Sequence, residues 1–300
     1  MLAHAKINLG LKVVRLRPDS YHDLETVMLK LRLADRLTVS VEPLRSGQDM
    51  IEVTTDDPAV PGGAGNLAHR SAALFLERAR IAGAPYGRKV IVRIEKKIPA
   101  GAGLGGGSSD AASVLLALGR ISGGVLADPE SLRPLAARIG SDVPFFLGGP
   151  VALACGRGDR LTPVAARSRL HVLCAMPRTS LSTKAVYAMY DIVGSEARPD
   201  IQAVLRSLES GRIDLLRTSV RNDLQEAATA MVPEIRDLVQ QVESHGAVCA
   251  CMTGSGSSIF GVFPDGRGAA SARDAVSEFP FVSWCQVTES LTDEVLTYGS

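Results

Sequence analysis

Apolar and polar residues alternate along several stretches of the chain, and a period of two is typical of β-strands. Stretches with this alternation are residues 5–16, 25–43, 50–55, 88–99, 170–177 and 281–289. We expect residues 25–43 to form two strands joined at Ala34 and Asp35. Residues 246–264 predict two further strands around a Gly/Ser turn. The chain is therefore rich in predicted strands from end to end.

Other segments have apolar residues at helical spacing. In the first of them Leu67, Leu74 and Phe75 fit one helix face, and Asn66 is suited to cap its N-terminus. The predicted helices cover residues 66–83, 109–118, 128–140, 182–193, 200–210 and 221–244. Strands and helices mix without a regular βαβ repeat, which predicts an α+β fold. With 300 residues, we expect two domains, residues 1–160 and residues 161–300.

Composition and charge narrow the function classes. Lys and Arg number 33 against 32 Asp and Glu, so the net charge is only +1. A basic field of the kind that binds nucleic acid is not expected at this balance. Apolar runs stay well short of the roughly 20 residues that span a bilayer, and the N-terminus lacks a signal-peptide pattern. We therefore expect a cytoplasmic protein with neither a nucleic-acid partner nor a membrane partner.

One stretch, "PAGAGLGGGSSDAAS" from Pro99 to Ser113, has glycine at five of the seven positions 101–107. A P-loop would need a lysine after the glycines, and a protein kinase would need H-R-D and D-F-G downstream; the sequence has neither. A dinucleotide fingerprint matches Gly101, Gly103 and Gly106 but needs an acidic residue that closes a second strand. The stretch fits a loop between a strand and a helix that begins with Ser108 and Ser109. We expect the loop and the N-terminus of this helix to bind phosphate together. Close packing of helix on strand is the alternative.

The same stretch resembles the P-x-G-x-G-L-G-S/G-S-S-A/S motif of the GHMP kinases, which phosphorylate small metabolites with ATP. Two further motifs of that superfamily have counterparts in "AKINLGL", residues 5–11, and "MTGSGSSIFGVF", residues 252–263. Three stretches are similar to the kinases of 4-diphosphocytidyl-2-C-methyl-D-erythritol within it: residues 17–28, 140–149 and 221–225. The resemblance implies an N-terminal domain like ribosomal protein S5 domain 2, a C-terminal ferredoxin-like domain and an active site in the cleft between them.

The resemblance also implies roles for individual residues. Lys6 would activate the acceptor hydroxyl, and Asp142 would be the general base. The residues implied for substrate binding are Asn8, Tyr21, His22, Thr183 and Tyr187. Those implied for ATP binding are Pro99, Ala100, Gly101, Ala102, Gly103, Leu104, Gly105, Gly106, Gly107, Ser108, Ser109, Asn66 and Lys96. Of these, Asn66 and Lys96, or Lys97 in place of Lys96, would approach adenine.

The implied activity is phosphorylation of the 2-hydroxyl of 4-diphosphocytidyl-2-C-methyl-D-erythritol, in non-mevalonate isoprenoid precursor synthesis, with ATP and Mg²⁺. The metal ligands are unknown, and the chain is expected to be a monomer or a homodimer. Another GHMP small-molecule kinase, or a non-catalytic nucleotide- or RNA-binding module, remains an alternative. Ser20 stands where the family usually has glycine, so a left-handed turn would be required of a serine at that position.

Overall fold

The computed structural model describes residues 1–44, 47–84, 87–123, 126–196 and 198–293. Its strands are β1 (Leu2–Leu16), β2 (His22–Pro43), β3 (Met50–Thr55), β4 (Arg88–Glu95), β5 (Val151–Gly156), β6 (Arg160–Pro163), β7 (His171–Pro177), β8 (Cys249–Met252), β9 (Ile259–Phe263) and β10 (Val282–Glu289). Its α-helices are α1 (Leu67–Ile81), α2 (Gly106–Ser122), α3 (Pro129–Ile139), α4 (Val143–Phe146), α5 (Thr183–Val193), α6 (Ile201–Ser210), α7 (Leu216–Ser219), α8 (Gln225–Met231), α9 (Glu234–Ser244) and α10 (Gly266–Ser277).

The chain forms two compact units that interleave along the sequence. Unit 1 contains Met1–Ala5, Leu33–Ala100 and Gly105–Gly148. Unit 2 contains Lys6–Arg32, Gly101–Leu104 and Gly149–Ser300. The domain boundary near residue 160 stays a prediction, and residues 294–300 of the predicted second domain lie outside the described residues.

Unit 1 is a sheet covered by helices. Its β3 runs parallel to β4, which pairs antiparallel with residues 36–43 of β2. A parallel pair needs a crossover connection, and α1 supplies it between β3 and β4. The fully buried core side chains include Leu37, Phe75, Val90, Leu115, Leu132 and Phe145. Asn66 caps α1, as its position in the sequence predicts: its Oδ1 accepts a hydrogen bond from the backbone N of Ala68 at 2.8 Å.

The prediction of two strands joined at Ala34 and Asp35 is wrong, because β2 is continuous from His22 to Pro43. Asp35 is fully buried, and its Oδ1 accepts hydrogen bonds from the backbone N atoms of Lys97 and Ile98 at 2.6 and 2.9 Å. These backbone N–H groups satisfy the Asp35 carboxylate inside the protein, so it does not need the contact with solvent that a turn would provide. The ladder with β4 then begins at the next residue, Arg36 opposite Glu95.

Unit 2 contains a four-stranded antiparallel sheet with the strand order β10-β7-β9-β8. The chain order around it is strand, helices, two strands, helix and strand, which is the βαββαβ pattern of the predicted ferredoxin-like domain. Its core contains Leu173, Leu224, Leu238, Val242, Ile259 and Phe263. In the same unit, residues 24–29 of β2 pair antiparallel with β5, which pairs with β6. The predicted α+β class is confirmed.

Two helix predictions need correction. The single helix expected over residues 221–244 is wrong, because α8 ends at Met231 and α9 begins at Glu234. Pro233 lies between them, and proline cannot donate the backbone hydrogen bond that a helix interior needs. The helix expected to open at Ser109 begins three residues earlier, at Gly106. Within the described ranges, no helix is both long enough and apolar enough to cross a membrane.

Candidate active site

Lys6 and Asn8 lie two residues apart on β1 in unit 2, so their side chains share one face of the strand. Both are buried, with 4% of each residue exposed. The Nζ of Lys6 donates a hydrogen bond to Oδ1 of Asn8 at 2.7 Å. The Nδ2 of Asn8 donates in turn to the hydroxyl of Thr26 at 3.0 Å. A buried lysine ammonium is therefore oriented by a neutral amide that is itself fixed from its other end.

In the glycine-rich loop, glycines with positive φ alternate with buried apolar residues. Gly101, Gly103 and Gly105 have φ of 68°, 75° and 74°, the left-handed region in which L-residues with side chains are strained. Between them, Ala102 and Leu104 are buried. The apolar side chains thus anchor the loop while the glycines supply its turns. The phosphate-binding residues predicted at Pro99–Ser109 include these positions.

Three segments that are distant in sequence meet within unit 2. The backbone N of Lys6 donates to the carbonyl O of Leu104 at 2.9 Å. A Cβ added to Gly103 would lie 2.8 Å from the carbonyl O of Thr253, so the glycine loop touches the C-terminal motif directly. A Cβ on Gly254 would lie 3.5 Å from Nζ of Lys6. The β1 motif, the glycine loop and residues 252–257 therefore form one local cluster.

Unit 1 contains a second buried lysine. The Nζ of Lys96 lies 2.5 Å from Oδ2 of Asp35 and 2.9 Å from Oδ2 of Asp110. All three side chains are at most 6% exposed. A Cβ on Gly106 would lie 3.4 Å from this ammonium, so the first residue of α2 packs against it. Lys96 was predicted to approach adenine; the structure finds its ammonium bound by two carboxylates, and the adenine contact stays a prediction.

This arrangement changes the proton affinity of its members. Burial is the largest effect on Asp110 and raises its pKa, the charge of Lys96 lowers it, and Asp35 raises it again, to a final value of about 7. Burial alone would lower the pKa of Lys96, but attraction to Asp110 and Asp35 outweighs this and raises it. Among the described residues, Oδ1 of Asp110 has no hydrogen-bond partner. One ammonium thus faces two buried carboxyl groups.

Two more predicted site residues lie in unit 1. Asp142 is half-buried and immediately precedes α4, a four-residue helix that it does not cap with its side chain. Asn66 uses both ends of its amide locally, since its Nδ2 also donates to the carbonyl O of Pro61 at 2.9 Å. Their predicted roles, the general base and an adenine contact, stay predictions.

Aromatic side chains predicted to bind a base come together in unit 2. The rings of His22 and Tyr187 stack with centroids 4.9 Å apart and planes 26° from parallel. Nε2 of His22 makes a hydrogen bond to Oδ1 of Asp191 at 2.8 Å. Tyr21 is exposed, and the guanidinium of Arg157 lies 4.0 Å from its ring centroid. The hydroxyl of Thr183 lies 2.9 Å from that of Ser255, next to the C-terminal motif.

Asp191 and Arg157 were missed by reasoning from the sequence. Asp191 follows Tyr187 by four residues on α5, and that spacing brings two side chains to one helix face. The signal for Asp191 was therefore present once Tyr187 had been selected. Arg157 belongs to the turn between β5 and β6, two strands that the sequence analysis did not predict, and so had no predicted neighbours.

Comparison with known proteins decides the family. Residues 66–150 match the family described as GHMP kinases N terminal domain, and residues 204–280 match GHMP kinases C terminal. A 4-diphosphocytidyl-2-C-methyl-D-erythritol kinase of Synechococcus sp. (strain JA-2-3B'a(2-13)) is 37% identical, over 92% of this chain and 88% of the relative. That of Cutibacterium acnes (strain DSM 16379 / KPA171202) is also 37% identical, over 93% of this chain and 90% of the relative.

The chain belongs to the GHMP kinases, in the family of 4-diphosphocytidyl-2-C-methyl-D-erythritol kinases. A crystal structure of a 4-(cytidine 5'-diphospho)-2C-methyl-D-erythritol kinase agrees with this, with a TM-score of 0.78 and 36% identity. It covers 97% of this chain and 99% of that chain. As a GHMP kinase, the chain uses ATP as its phosphoryl donor.

One departure from the family pattern has a clear structural form. Ser20, where this kinase family usually has glycine, has φ of 62°. It is the single residue other than glycine with a positive φ in the described ranges. Ser20 thus adopts the left-handed backbone conformation that glycine favours, at a cost in strain for a residue with a side chain.

Proposed function

We propose that this kinase transfers the γ-phosphoryl group of ATP to the 2-hydroxyl of 4-diphosphocytidyl-2-C-methyl-D-erythritol, a step of non-mevalonate isoprenoid precursor synthesis. The observation that carries the proposal is the cluster around Lys6. In it a buried ammonium lies beside both the glycine loop and the C-terminal motif. A phosphoryl-transfer site needs a cation near the developing charge and a cradle for the phosphates.

In the proposed reaction, the acceptor oxygen forms a bond to the γ-phosphorus while the bond from that phosphorus to the β-γ bridging oxygen breaks. The products are the phosphorylated alcohol and ADP. Lys6 lowers the pKa of the acceptor hydroxyl through its positive charge. Asp142 accepts the hydroxyl proton as general base, a role that contributes about 10²–10⁴ in rate.

On the donor side, we propose that the phosphates rest on residues 99–109, with their backbone N–H groups and the N-terminus of α2 as the anion-binding elements. Asn66 and Lys96 would contribute near adenine. Mg²⁺ would accompany the nucleotide, whose phosphates supply most of its ligands. No group of three or more His, Cys, Asp or Glu in the described part of the chain is arranged to hold a metal ion.

On the acceptor side, we propose that the cytidine base lies against Tyr187 and His22, with Tyr21 and Thr183 as neighbouring contacts and Asn8 near the sugar alcohol. The stacked rings support this proposal, because every nucleic-acid base has a π-face that can stack on an aromatic ring. We further propose a cytoplasmic enzyme, monomeric or homodimeric, without a nucleic-acid or membrane partner, and with its domain boundary near residue 160.

An acceptor panel tests the proposal. Purified enzyme with ATP and Mg²⁺ would be given the cytidyl-diphospho-methylerythritol substrate, mevalonate, homoserine or galactose in parallel, and ADP release would be measured. We expect turnover with the cytidyl substrate and at least about 100-fold lower kcat/KM with each of the others, since missing polar contacts in a built pocket are costly. Preferred turnover of another acceptor would favour a different GHMP kinase activity, and ATP binding without turnover of any acceptor would favour a binding module.

A further inference from the structure

The segment "RNDLQ", Arg221–Gln225, has no role in the reaction described above, yet it is tied to the Lys6 cluster. Asn222 is buried, with 5% of the residue exposed. Its Nδ2 donates to the carbonyl O of Met252 and to that of Gly254, both at 2.8 Å. Its Oδ1 accepts from the backbone N of Leu224 at 2.9 Å. The amide is therefore used at both ends.

The two carbonyls that Asn222 binds are those on either side of Thr253. The hydroxyl of Thr253 accepts a hydrogen bond from the backbone N of Asn8 at 3.0 Å and lies 3.4 Å from Oδ1 of Asn8 as a donor. Oδ1 of Asn8 also accepts a hydrogen bond from Nζ of Lys6 at 2.7 Å. Asn222 thus holds the backbone on both sides of Thr253, the hydroxyl of Thr253 is hydrogen-bonded to Asn8, and Asn8 accepts from the ammonium of Lys6.

The backbone of residues 221–225 also binds β1, the strand that carries Lys6 and Asn8. The backbone N of Leu11, on β1, donates to the carbonyl O of Arg221 at 3.0 Å. The backbone N of Asp223 donates back to the carbonyl O of Leu11 at 2.9 Å. Gln225 adds a third link, since its Oε1 accepts from the backbone N of Met252 at 2.8 Å. The segment therefore joins β1, through the backbone of Arg221 and Asp223, to the Thr253 turn, through the side-chain amide of Asn222.

We propose that Asn222 is a positioning residue for the phosphoryl transfer: by fixing the turn at Thr253, it sets the place of the Lys6 ammonium. The inference rests on the proposed function, in which Lys6 acts on the acceptor hydroxyl. Loss of its two donated bonds leaves two carbonyls unsatisfied and lets the turn move, and a displacement of about 1 Å at a reacting group can cost on the order of 10²-fold in rate.

The test is Asn222→Asp, which keeps the size and the bond from Leu224 but sets a carboxylate oxygen against the two carbonyls. Gln225→Glu is the matched control, because Gln225 accepts its bond from Met252 and a carboxylate accepts equally well. We expect Asn222→Asp to lower kcat about tenfold or more with both KM values within about threefold of wild type, the pattern of an interaction that acts in the transition state. Gln225→Glu should keep kcat within about threefold, as its bond survives.

Thr253→Val decides the matter if Asn222→Asp does not fold, since valine has the shape of threonine without the hydroxyl. It should also lower kcat with little change in KM. In a folded double variant, the loss should be close to that of the worse single one, because groups that act through one another are not additive. Unchanged kcat in either folded variant, equal rises in both KM values, or losses that multiply would each overturn the proposal.

Lys6→Met, measured in parallel, separates this inference from the proposed function. If Lys6→Met lowers kcat strongly and Asn222→Asp and Thr253→Val do not, the positioning role alone is wrong. If Lys6→Met leaves kcat near wild type, the role proposed for Lys6 is wrong, and Asn222 then has no catalytic group to position.

Discussion

Two buried lysines in this chain donate hydrogen bonds to different kinds of group. Lys96, in unit 1, lies between the carboxylates of Asp35 and Asp110. Lys6, in unit 2, donates to the amide oxygen of Asn8, and this bond orients the ammonium. We call the first set, with Lys96, Asp35 and Asp110, the Lys96 cluster, and the second, with Lys6, Asn8 and Thr253, the Lys6 cluster.

The difference indicates what each cluster does. A charge that is buried against opposite charges is mainly a matter of stability, because removal of one partner leaves the other uncompensated. A hydrogen bond to an amide oxygen, in contrast, orients an ammonium without adding an opposite charge beside it. Burial of a lysine in a motif is thus not enough to assign a catalytic role, because the chemistry of its hydrogen-bond partners also matters.

The largest effect that separates the two clusters should be on stability. Lys96→Met leaves two buried carboxylates without a cation and should lower the free energy of unfolding by about 3–5 kcal/mol. Lys97→Met is the control, because Lys97 is exposed and surface changes stay within about 0.5 kcal/mol. Urea unfolding measures both. Equal stability of the two variants would contradict the structural role of Lys96.

A second effect should be confined to the acceptor. If Tyr187 stacks on cytosine, Tyr187→Ala should raise KM for the cytidyl substrate about tenfold or more, since base stacking on an aromatic ring contributes about 1–3 kcal/mol. KM for ATP should stay near its wild-type value. His22→Ala should give the same pattern, because the two rings stack. Similar rises in both KM values would mean a general loosening and would remove the base assignment.

A third effect should be confined to the donor. Gly107, the second residue of α2, would meet only the Leu67 side chain at 3.7 Å if it carried a Cβ. Gly107→Ala therefore fits the fold, and alanine favours the helix by about 1 kcal/mol over glycine. It should nevertheless weaken ATP binding about tenfold if phosphate approaches the backbone there, an energy of about 1.4 kcal/mol.

The control for this change is Gly268→Ala, in the first turn of α10. A Cβ there would also meet only ordinary contacts, at 3.6 and 3.7 Å. Calorimetric titration with ATP should leave its affinity unchanged. If Gly107→Ala also leaves the affinity for ATP unchanged, Gly107 serves helix packing and not phosphate binding.

The last effect is a pH dependence of stability in the Lys96 cluster. The pKa of Asp110 is raised to about 7 by burial, so the folded protein binds this proton more tightly than the unfolded chain does. Its contribution to the free energy of unfolding is therefore fully present below about pH 4 and is lost as the pH rises through about 7.

The measurement compares wild type with Asp110→Asn, which cannot titrate there. The stability of wild type relative to the variant should fall between about pH 4 and pH 7, by no more than about 1.4 kcal/mol per pH unit. A constant difference over this range would mean that Asp110 keeps an ordinary pKa in the folded state.

The sequence predicted the three motifs and the α+β class, because each depends on local patterns that persist in the fold. It did not predict the continuity of β2, since the partners that bury Asp35 are the backbone N–H groups of Lys97 and Ile98, more than 60 residues away. The break at Pro233 was different: proline at that position is visible in the sequence, and a rule on helix interiors would have found it.

The candidate site divides in the same way. The resemblance assigned Lys6 and the glycine loop to one active site, and in the structure the backbone N of Lys6 donates to the carbonyl O of Leu104. The roles that the resemblance implies for them stay predictions. The carboxylate partners of Lys96 could not be predicted, because Asp35 and Asp110 come from separate elements that only the tertiary fold brings together. Position in a motif therefore predicted the region but not the partners.

The most direct test of the proposed chemistry is the rate of phosphoryl transfer in Asp142→Asn, measured in a single turnover with ATP and the cytidyl substrate saturating. Asparagine keeps the size of the side chain but cannot take the proton. With the variant verified as folded, we predict a rate at least about 10²-fold below wild type, the scale of a lost general base. Lys6→Met should fall by a similar factor, and the double variant little further. A rate for Asp142→Asn within a few-fold of wild type would contradict the proposed roles and leave transfer to positioning and electrostatics alone.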